Sequence, residues 1–353
     1  MTRTSQASVP NAGPAQKLAV LGGGAFGTAL ACAFSRRFPE VGLWLHEPEA
    51  AERLASSRRH PTLAWMPPLS AAIRPTADLA EVLSRATYVI CALPTDVYGD
   101  FLAQHASKLP AAPLYLVASK GARLGADGAV ETPRRWLEAA LAHAGHRDTR
   151  VALLSGPSFA REVAEERFTA LVLAHEASEA LHDDAAFLSG PKLRLYLNDD
   201  PVGVELGGAL KNVMAIAAGF MDARDFGENA KAAFIARALA EMTRLAEGLG
   251  AKRETLAGLS GLGDLLLTCH GAQSRNRTFG EHLGRGLSVA AARAAAGGVV
   301  EGEKTAAAAY AAAERLGLRA FIAEHVHKVV SGQLSPSVAL EKLGEWSPIS
   351  EHL

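Results

Sequence analysis

The sequence predicts a two-domain α/β protein in which a doubly wound, mainly parallel sheet is followed by an all-helical domain. In the first 200 residues, short and almost continuously apolar strands alternate with stretches of helical length. This pattern is typical of a parallel sheet covered on both faces. After about Pro201 the periodicity becomes that of helices, and Asn198-Asp-Asp-Pro201 separates the two patterns. A length of 353 residues is consistent with about two domains.

The predicted strands begin after a polar N-terminal tail of 16 residues. The tail contains Pro and Gly and lacks an apolar core, so we expect it to be flexible and not a signal peptide. A glycine-rich turn and a helix to about Arg36 follow the first strand directly. In chain order the predicted strands are Lys17–Leu21, Val41–Leu45, Thr87–Leu93, Leu114–Ser119, Val151–Leu154, Thr169–Ala174 and Leu193–Leu197.

The second half of the chain is predicted to contain only helices. They are Val204–Phe220, Ala230–Gly248, an Ala-rich pair near 289–316, and Ala320–Ser331. We therefore expect a sheet-containing domain over 17–200 and a helical domain over 201–345.

Composition argues against several classes of function. The net charge of −1 is not that of a nucleic-acid-binding protein or of a polybasic membrane binder. The three cysteines, Cys32, Cys91 and Cys269, have neither a metal-binding spacing nor that of a disulfide framework, so we expect a reducing cytoplasm and no metal. No apolar run reaches the roughly 18 residues that a membrane span requires.

A glycine motif follows the first predicted strand. Gly22, Gly24 and Gly27 match G-x-G-x-x-G between a strand and a helix, which is the context in which this pattern binds a dinucleotide. The first glycine permits a tight turn, the second lets the backbone approach a pyrophosphate, and the third allows close helix–sheet packing. The sequence therefore predicts a Rossmann-like domain that binds NAD or NADP.

The end of the second strand bears on the choice between these two cofactors. Glu47 lies 20 residues beyond Gly27, where a carboxylate bonds the ribose hydroxyls of NAD. His46, together with Arg36 or Arg53, could instead contact the 2′-phosphate of NADP. The sequence leaves the two cofactors open.

The segment Glu205–Gly219 is almost wholly apolar but contains Lys211 beside Asn212. A helix that is apolar nearly all round is buried, and an unpaired buried ammonium costs several kcal/mol. Lys211 therefore needs a partner, a ligand or a depressed pKa. Two interpretations fit: an acid/base or anion-binding site, or a structural lysine whose ammonium reaches the surface.

Three further segments carry candidate site residues. Lys120 and the turn Ser155–Phe159 follow strands at their carboxyl ends, where ligands bind in open α/β sheets. Asp264 lies among leucines and needs a cationic partner, for which Lys211 is the candidate; the alternative is a helix N-cap. Ser274-Arg-Asn-Arg277 presents groups that suit a phosphate, and its alternative is a solvated basic loop.

Taken together, these segments resemble one known family over a match that runs from about Lys17 into the 330s. The matching motifs are G-x-G-x-x-G at Gly22–Gly27, S-K-G at Ser119–Gly121, S-G-P-S-F-A at Ser155–Ala160, G-A-L-K-N-V at Gly208–Val213, N-A at Asn229, G-L-G-D-L at Gly261–Leu265, S-R-N-R-x-F-G at Ser274–Gly280 and V-V-E-G at Val299–Gly302. In this order they are similar to the NAD(P)-dependent glycerol-3-phosphate dehydrogenases, bacterial soluble enzymes that interconvert dihydroxyacetone phosphate and sn-glycerol 3-phosphate.

The resemblance implies a Rossmann-like domain followed by an all-α domain like the C-terminal domain of 6-phosphogluconate dehydrogenase. It implies NADPH or NADH as cofactor, no metal, a phosphorylated small-molecule substrate, a cytoplasmic homodimer and a role in supplying the glycerophospholipid backbone. Lys211 matches the general acid/base, with Lys120 and Asp264 as further catalytic residues. The implied substrate contacts are Lys120, Gly156, Ser158, Lys211, Asp264, Ser274, Arg275 and Asn276. The implied cofactor contacts are Gly22, Gly24, Ala25, Phe26, Gly27, His46, Lys120, Ala160, Arg275, Val299 and Glu301.

The chain departs from the family pattern at two places. Ala25 stands where many members have a serine, which removes one hydroxyl near the pyrophosphate. In Pro94-Thr-Asp96, where members often have Ser-His, a side-chain role for Thr95 and Asp96 is in doubt.

Two other functions fit parts of the sequence. A two-domain dehydrogenase for a hydroxy acid or sugar acid would also place a lysine on the first helix of the helical domain, but it has no reason to carry S-R-N-R. A non-catalytic dinucleotide-binding regulator would tolerate loss of Lys211 and Lys120, and both are present.

Overall fold

The computed structural model describes residues 16–339, and the predicted fold class is confirmed. The strands are β1 Lys17–Leu21, β2 Glu40–Trp44, β3 Ile73–Thr76, β4 Tyr88–Cys91, β5 Leu114–Val117, β6 Arg123–Leu124, β7 Val130–Glu131, β8 Val151–Ser155, β9 Thr169–Ala174 and β10 Leu193–Asn198. Eight of them form one sheet in the order β10-β9-β8-β5-β4-β1-β2-β3, and β6 and β7 form a separate antiparallel pair. Within the large sheet, all neighbours are parallel except β8 and β9.

Helices cover both faces of this sheet. They are α1 Ala25–Phe34, α2 Pro48–Ser57, α3 Leu79–Leu83, α4 Thr95–His105, α5 Pro133–His143, α6 Ala160–Ala164 and α7 His182–Leu188, with 3₁₀ turns at Ala106–Lys108 and Ser178–Leu181. Alternate residues of β1 point to opposite faces, as a strand requires. Leu18 and Val20 join the apolar layer beneath α1, whereas Ala19 and Leu21 join the layer on the other face.

The helices of the second half are α8 Pro201–Ala223, α9 Gly227–Gly248, α10 Arg253–Leu256, α11 Asp264–His270, α12 Arg275–Gly284, α13 Val289–Ala295, α14 Glu301–Leu316 and α15 Phe321–Val330. A π-helical turn, Leu259–Gly263, precedes α11. The helix α8 is buried along almost its whole length, and other helices pack around it. The last strand ends at Asn198 and α8 begins at Pro201, but the domain limits 17–200 and 201–345 remain a prediction. The predicted tail, apart from Gln16, and residues 340–345 lie outside the described residues.

Several parts of the fold were not foreseen, among them β3, the β6–β7 pair, α10 and α12. The strand β3 contains Pro75 and lies at the edge of the sheet, where a missing backbone N–H is tolerated. The expectation that no segment reaches the length of a membrane span needs correction, because Pro201–Ala223 passes that test by length and mean hydropathy. Its most apolar window is 89% buried inside the protein, as in the core helix of a globular domain.

Backbone contact between α8 and α12 brings two site segments together. A Cβ atom at Gly219 would lie 1.9 Å from the Arg277 carbonyl oxygen, and one at Gly280 would lie 1.9 Å from the Ile216 carbonyl oxygen. The two helices can therefore approach this closely only because both positions are glycine. The contact places the N-terminus of α12, with Arg275, against the helix that carries Lys211.

We expect Gly280→Ala to lower the free energy of unfolding by about 1–3 kcal/mol or more, because the added methyl group overlaps backbone that must shift. Gly99→Ala is the matched control, since Gly99 lies inside α4 and a Cβ there meets no atom within 4 Å. It should raise the free energy of unfolding by about 0.5–1 kcal/mol through helix propensity. Urea denaturation of both variants measures the difference, and equal effects would contradict the close helix contact.

Candidate active site

Two lysines meet one buried carboxylate between the sheet and the helical domain. The Lys120 ammonium lies 2.7 Å from Oδ2 of Asp264, and the Lys211 ammonium forms an ion pair with Oδ1. Asp264 is fully buried, and Lys211 is 8% exposed. Lys211 thus has the partner that the sequence analysis named, and its ammonium does not reach the surface.

The environment of Lys211 favours its neutral form. Burial lowers the pKa of Lys211 from 10.5 to about 8, and the Lys120 ammonium acts in the same direction, whereas the Asp264 carboxylate opposes both. One carboxylate faces two ammonium groups, so the cluster carries a surplus positive charge when both lysines are protonated. An ammonium with a pKa near neutrality can both give and accept a proton.

Each member of the cluster comes from a different element. Lys120 follows β5 at the carboxyl end of the sheet, Lys211 lies in the middle of α8, and Asp264 is the first residue of α11. The N-cap of α11 is Gly263, so the N-cap interpretation of Asp264 is wrong. Thr268, one turn further along α11, donates its hydroxyl to the Asp264 carbonyl oxygen at 2.6 Å. This contact fixes the helical turn that holds the carboxylate.

A chain of amide hydrogen bonds lies beside the lysines. Asn276 Nδ2 donates to Oδ1 of Asn212 at 2.9 Å, and the Gly302 N–H donates to Oδ1 of Asn276 at 3.0 Å. Both asparagines are buried. The chain connects α8, α12 and α14, so part of the hydrogen-bonding capacity of Asn276 is used within the protein and one amide N–H remains.

The other residues of S-R-N-R have three different roles. The Ser274 hydroxyl caps α12 by accepting from the Arg277 N–H at 3.2 Å. Arg275 is exposed, and its guanidinium lies against Gly298, where a Cβ would be 2.7 Å from Nη1. Arg277 instead pairs with Asp222 at 2.7 Å and with Glu281 at 2.8 Å. The segment is therefore an ordered helix start, not a solvated loop.

The turn after β8 also reaches the cluster. Gly156 has φ +125°, and its carbonyl oxygen accepts hydrogen bonds from the Lys120 ammonium and from the Ser158 hydroxyl, both at 2.9 Å. Ala160 is the first residue of α6, at the end of the same turn. The Gly156 carbonyl thus gives Lys120 a second hydrogen-bond acceptor beside Asp264.

The glycine motif forms the turn that its spacing predicts. Gly22 has φ +117°, and a Cβ at Gly27 would lie 1.9 Å from the Gly22 carbonyl oxygen. Gly24 is exposed, and a Cβ there would meet open space. The first hydrogen bond of α1 runs from the Thr28 N–H to the Gly24 carbonyl at 2.9 Å. The N–H groups before Thr28 thus precede the helical ladder, and such groups can bind a phosphate.

This turn lies close to the lysine cluster. The Phe26 ring centroid is 5.8 Å from the Lys120 ammonium. The open space at Gly24, the helix N-terminus and the nearby lysines would suit the pyrophosphate of a dinucleotide. Among residues 16–339, no group of three or more His, Cys, Asp or Glu side chains is placed to hold a metal ion.

The residues considered for the cofactor ribose are only partly brought together. His46 is exposed at the end of β2 and meets the Trp44 ring edge-on, with centroids 5.9 Å apart. Arg36 lies beyond the C-terminus of α1 and pairs with Glu166 at 2.7 Å. A helix of 10 residues separates it from Gly24, about 15 Å at 1.5 Å per residue. The structure therefore places Arg36 at the opposite end of α1 from the glycine turn.

A carboxylate of α14 accepts a hydrogen bond from the first N–H of α4. Oε1 of Glu301 accepts from the Thr95 N–H at 2.9 Å, and burial raises the pKa of Glu301. Val299, two residues earlier, is half-buried. Asp96 pairs with Arg123 at 3.3 Å. Thr95 thus contributes its backbone N–H to the contact with Glu301, and the Asp96 side chain is used in an ion pair within the protein.

Sequence reasoning assigned no role to three residues that contact this site: Asn212, Thr268 and His60. The spacing of Thr268, four residues after Asp264 on one helix, could have indicated it. His60 Nε2 lies 2.8 Å from the Gly23 carbonyl oxygen, which places the loop after α2 against the glycine turn. No local pattern connects His60 with a turn 37 residues earlier.

Comparison with known proteins agrees with this geometry. The family profile described as the NAD-dependent glycerol-3-phosphate dehydrogenase N-terminus matches residues 17–181, and the corresponding C-terminus profile matches 200–341. A protein from Thioalkalivibrio sulfidiphilus named glycerol-3-phosphate dehydrogenase [NAD(P)+] is 42% identical over 93% of this chain and 96% of its own length. One of the same name from Acidobacterium capsulatum is 41% identical over 93% and 97%.

A solved structure is similar over nearly the same range. The crystal structure of glycerol-3-phosphate dehydrogenase from Coxiella burnetii superposes with a TM-score of 0.85 at 33% identity, and the match covers 94% of this chain and 99% of that one. Since both profiles and full-length relatives match in this way, the chain belongs to the NAD-dependent glycerol-3-phosphate dehydrogenase family.

Proposed function

We propose that this protein is an NAD(P)-dependent sn-glycerol-3-phosphate dehydrogenase that reduces dihydroxyacetone phosphate to sn-glycerol 3-phosphate. The observation that carries the proposal is the pair of lysines on one buried carboxylate, beside a glycine turn suited to a dinucleotide. A regulator that only binds a dinucleotide has no use for a buried lysine with a depressed pKa. The names of the relatives supply the substrate class.

Lys211 gives a proton to the substrate oxygen in this proposal. Reduced nicotinamide, when bound, supplies a hydride to the carbonyl carbon. The C=O π pair then becomes a negative charge on oxygen, and the Lys211 ammonium transfers its proton to that oxygen, which completes the secondary alcohol. Lys120 stabilises the oxygen's charge as it develops. Asp264 holds both ammonium groups in position.

The substrate phosphate is assigned to the start of α12. Arg275 is exposed and carries a guanidinium suited to phosphate, while Ser274 and Asn276 flank it. Binding the phosphate there fixes the ketone relative to Lys211, because α12 and α8 are in backbone contact. Gly156 and Ser158 complete the substrate pocket from the side of the sheet.

The cofactor contacts are assigned to the glycine turn and to residues near it. They are Gly22, Gly24, Ala25, Phe26, Gly27, His46, Lys120, Ala160, Arg275, Val299 and Glu301. Both NAD and NADP remain candidates. The domain limits 17–200 and 201–345 belong to the same proposal, with the site between the two domains.

We also propose that the enzyme acts in the cytoplasm as a homodimer and supplies the backbone of glycerophospholipids. Its three free cysteines support a reducing compartment. Large apolar side chains are exposed on the helical domain, with Phe226 at 44% and Leu266 at 40% exposure, which supports a contact between copies.

The direct test measures oxidation of NADPH and of NADH, separately, by purified protein given dihydroxyacetone phosphate. We expect oxidation that requires this substrate and that fails with unphosphorylated dihydroxyacetone. Cofactor binding without oxidation would contradict the proposal and favour a hydroxy-acid substrate or a regulatory role.

Lys211→Ala should reduce kcat by about 10²–10⁴-fold, because the general acid is lost, while the dissociation constant of the cofactor stays unchanged. Lys252→Ala, which removes an exposed lysine paired with Asp199, is the control and should retain wild-type kcat. Steady-state kinetics and cofactor fluorescence titration measure the two quantities. More than about a tenth of wild-type kcat in Lys211→Ala would refute its assigned role.

Arg275→Ala should raise KM for dihydroxyacetone phosphate by about tenfold or more, since a charge-assisted contact to phosphate is lost. Arg285→Ala removes an exposed arginine at the other end of the same helix and should leave KM unchanged. An unchanged KM in Arg275→Ala would show that the phosphate binds elsewhere.

Reduction should also depend on pH through Lys211, whose pKa is lowered to about 8. The ammonium is the required form, so kcat/KM for reduction should fall as the pH rises above this value. Oxidation of glycerol 3-phosphate requires the neutral amine and should show the opposite trend. Asp264→Asn removes the group that raises the pKa of Lys211, so the fall should move to lower pH. A falling limb that stays in place would contradict the coupling.

A further inference from the structure

A second cationic cavity lies at the C-terminal end of α1, away from the lysine cluster. Its volume is about 340 Å³, and it lies between α1, the end of α6 and the turn before β10. The helix α1 separates it from the glycine turn by about 15 Å. None of the residues assigned above to catalysis, substrate or cofactor lines it.

The charge of this cavity contrasts with that of the whole chain. Four cationic side chains and a single carboxylate line it, although the chain has a net charge of −1. Two of the cations are already paired: Arg36 with Glu166 at 2.7 Å, and Arg167 with Glu165 at 3.1 Å.

The other two cations are Arg37 and Lys192. Both are exposed, and neither forms an ion pair with a carboxylate of residues 16–339. The Arg37 guanidinium lies at Gly190, where a Cβ would be 2.6 Å from Nη2, and Lys192 is two residues further on. Two cations without a carboxylate partner among the described residues therefore line the same cavity.

The rest of the lining is apolar. Ala33 of α1, Val163 of α6, and Leu188 and Leu193 on either side of the turn contribute to it. Val163, Leu188 and Leu193 are themselves nearly fully buried, so the apolar wall belongs to the core of the sheet domain. The cavity thus combines a cationic edge with an apolar floor.

We propose that this cavity binds a phosphate monoester that carries a short hydrocarbon group. A phosphate monoester has a charge of about −1.5 to −2 at pH 7, which matches two unpaired cations. The planar guanidinium of Arg37 suits phosphate oxygens, and Lys192 adds a second charge. The hydrocarbon group covers the apolar floor, and a cleft lined mainly by one sign of charge attracts the anion.

The test measures the binding of n-hexyl phosphate to purified protein by isothermal titration calorimetry. The reference protein for this measurement carries the Arg275→Ala substitution. That background weakens binding at the proposed substrate site, and the part of the remaining binding that depends on Arg37 and Lys192 reports the cavity. Adding Arg37→Ser and Lys192→Ser together should weaken binding at least tenfold. The matched control adds Arg147→Ser and Arg285→Ser, two exposed arginines outside the cavity, and should bind like the background. Circular dichroism checks that each variant is folded.

Three results would overturn the proposal. One is equal affinity of the Arg37/Lys192 variant and the background, and another is an equal loss in the control variant, which would indicate non-specific charge attraction. The third is an equal affinity for inorganic phosphate, which would remove the role of the apolar floor. These readouts do not use dehydrogenase activity. Failure of the proposed reaction, seen in the oxidation of NADPH or NADH, is therefore a separate outcome.

Discussion

The structure depends on how one buried carboxylate is shared between two ammonium groups. Asp264 is fully buried and contacts Lys211 and Lys120, so removing its charge would leave two cations in a poorly solvated space. Because a single carboxylate does not neutralise both lysines, the site retains an affinity for negative charge. Burial lowers the pKa of Lys211, with the Lys120 ammonium acting in the same direction and the Asp264 carboxylate opposing both. Stability and reactivity therefore arise from the same three side chains.

The cluster also couples the two halves of the chain, because Lys120 follows a strand and its partners lie in the helical half. Other buried polar groups connect the halves in the same way. Glu205 of α8 accepts from the Thr132 hydroxyl at 2.8 Å and from the Arg134 N–H at 2.9 Å, and Glu301 accepts from the Thr95 N–H. If the halves separated, these hydrogen bonds would be exchanged for hydrogen bonds to water, at a net cost of about 0.5–1.5 kcal/mol each. Docking of the halves and assembly of the site are thus one event.

Much of this arrangement could be predicted from the sequence at positions where a charged residue lies in an otherwise apolar segment. Lys211 and Asp264 stand out because a charge in an apolar helix needs a partner, and the glycine motif stands out through its spacing. The features that the sequence did not predict depend on contacts between residues that are far apart in the chain. His60 contacts the glycine turn from the loop after α2, and Arg36 forms an ion pair with Glu166. The strand β3 pairs with β2 at the edge of the sheet. Thr268 was missed although its helical spacing from Asp264 was visible.

The glycine contacts between α8 and α12 have a consequence for the choice of substrate. Where backbones touch, no side chain is available to yield, so the contact holds the two helices at a fixed separation. Lys211 lies on α8 and Arg275 on α12, so under the proposed roles this contact fixes the separation of the proton donor and the phosphate ligand. The distance from a reacting oxygen to a phosphate is then a property of the protein, and a ketose phosphate with a longer carbon chain cannot satisfy both ends at once.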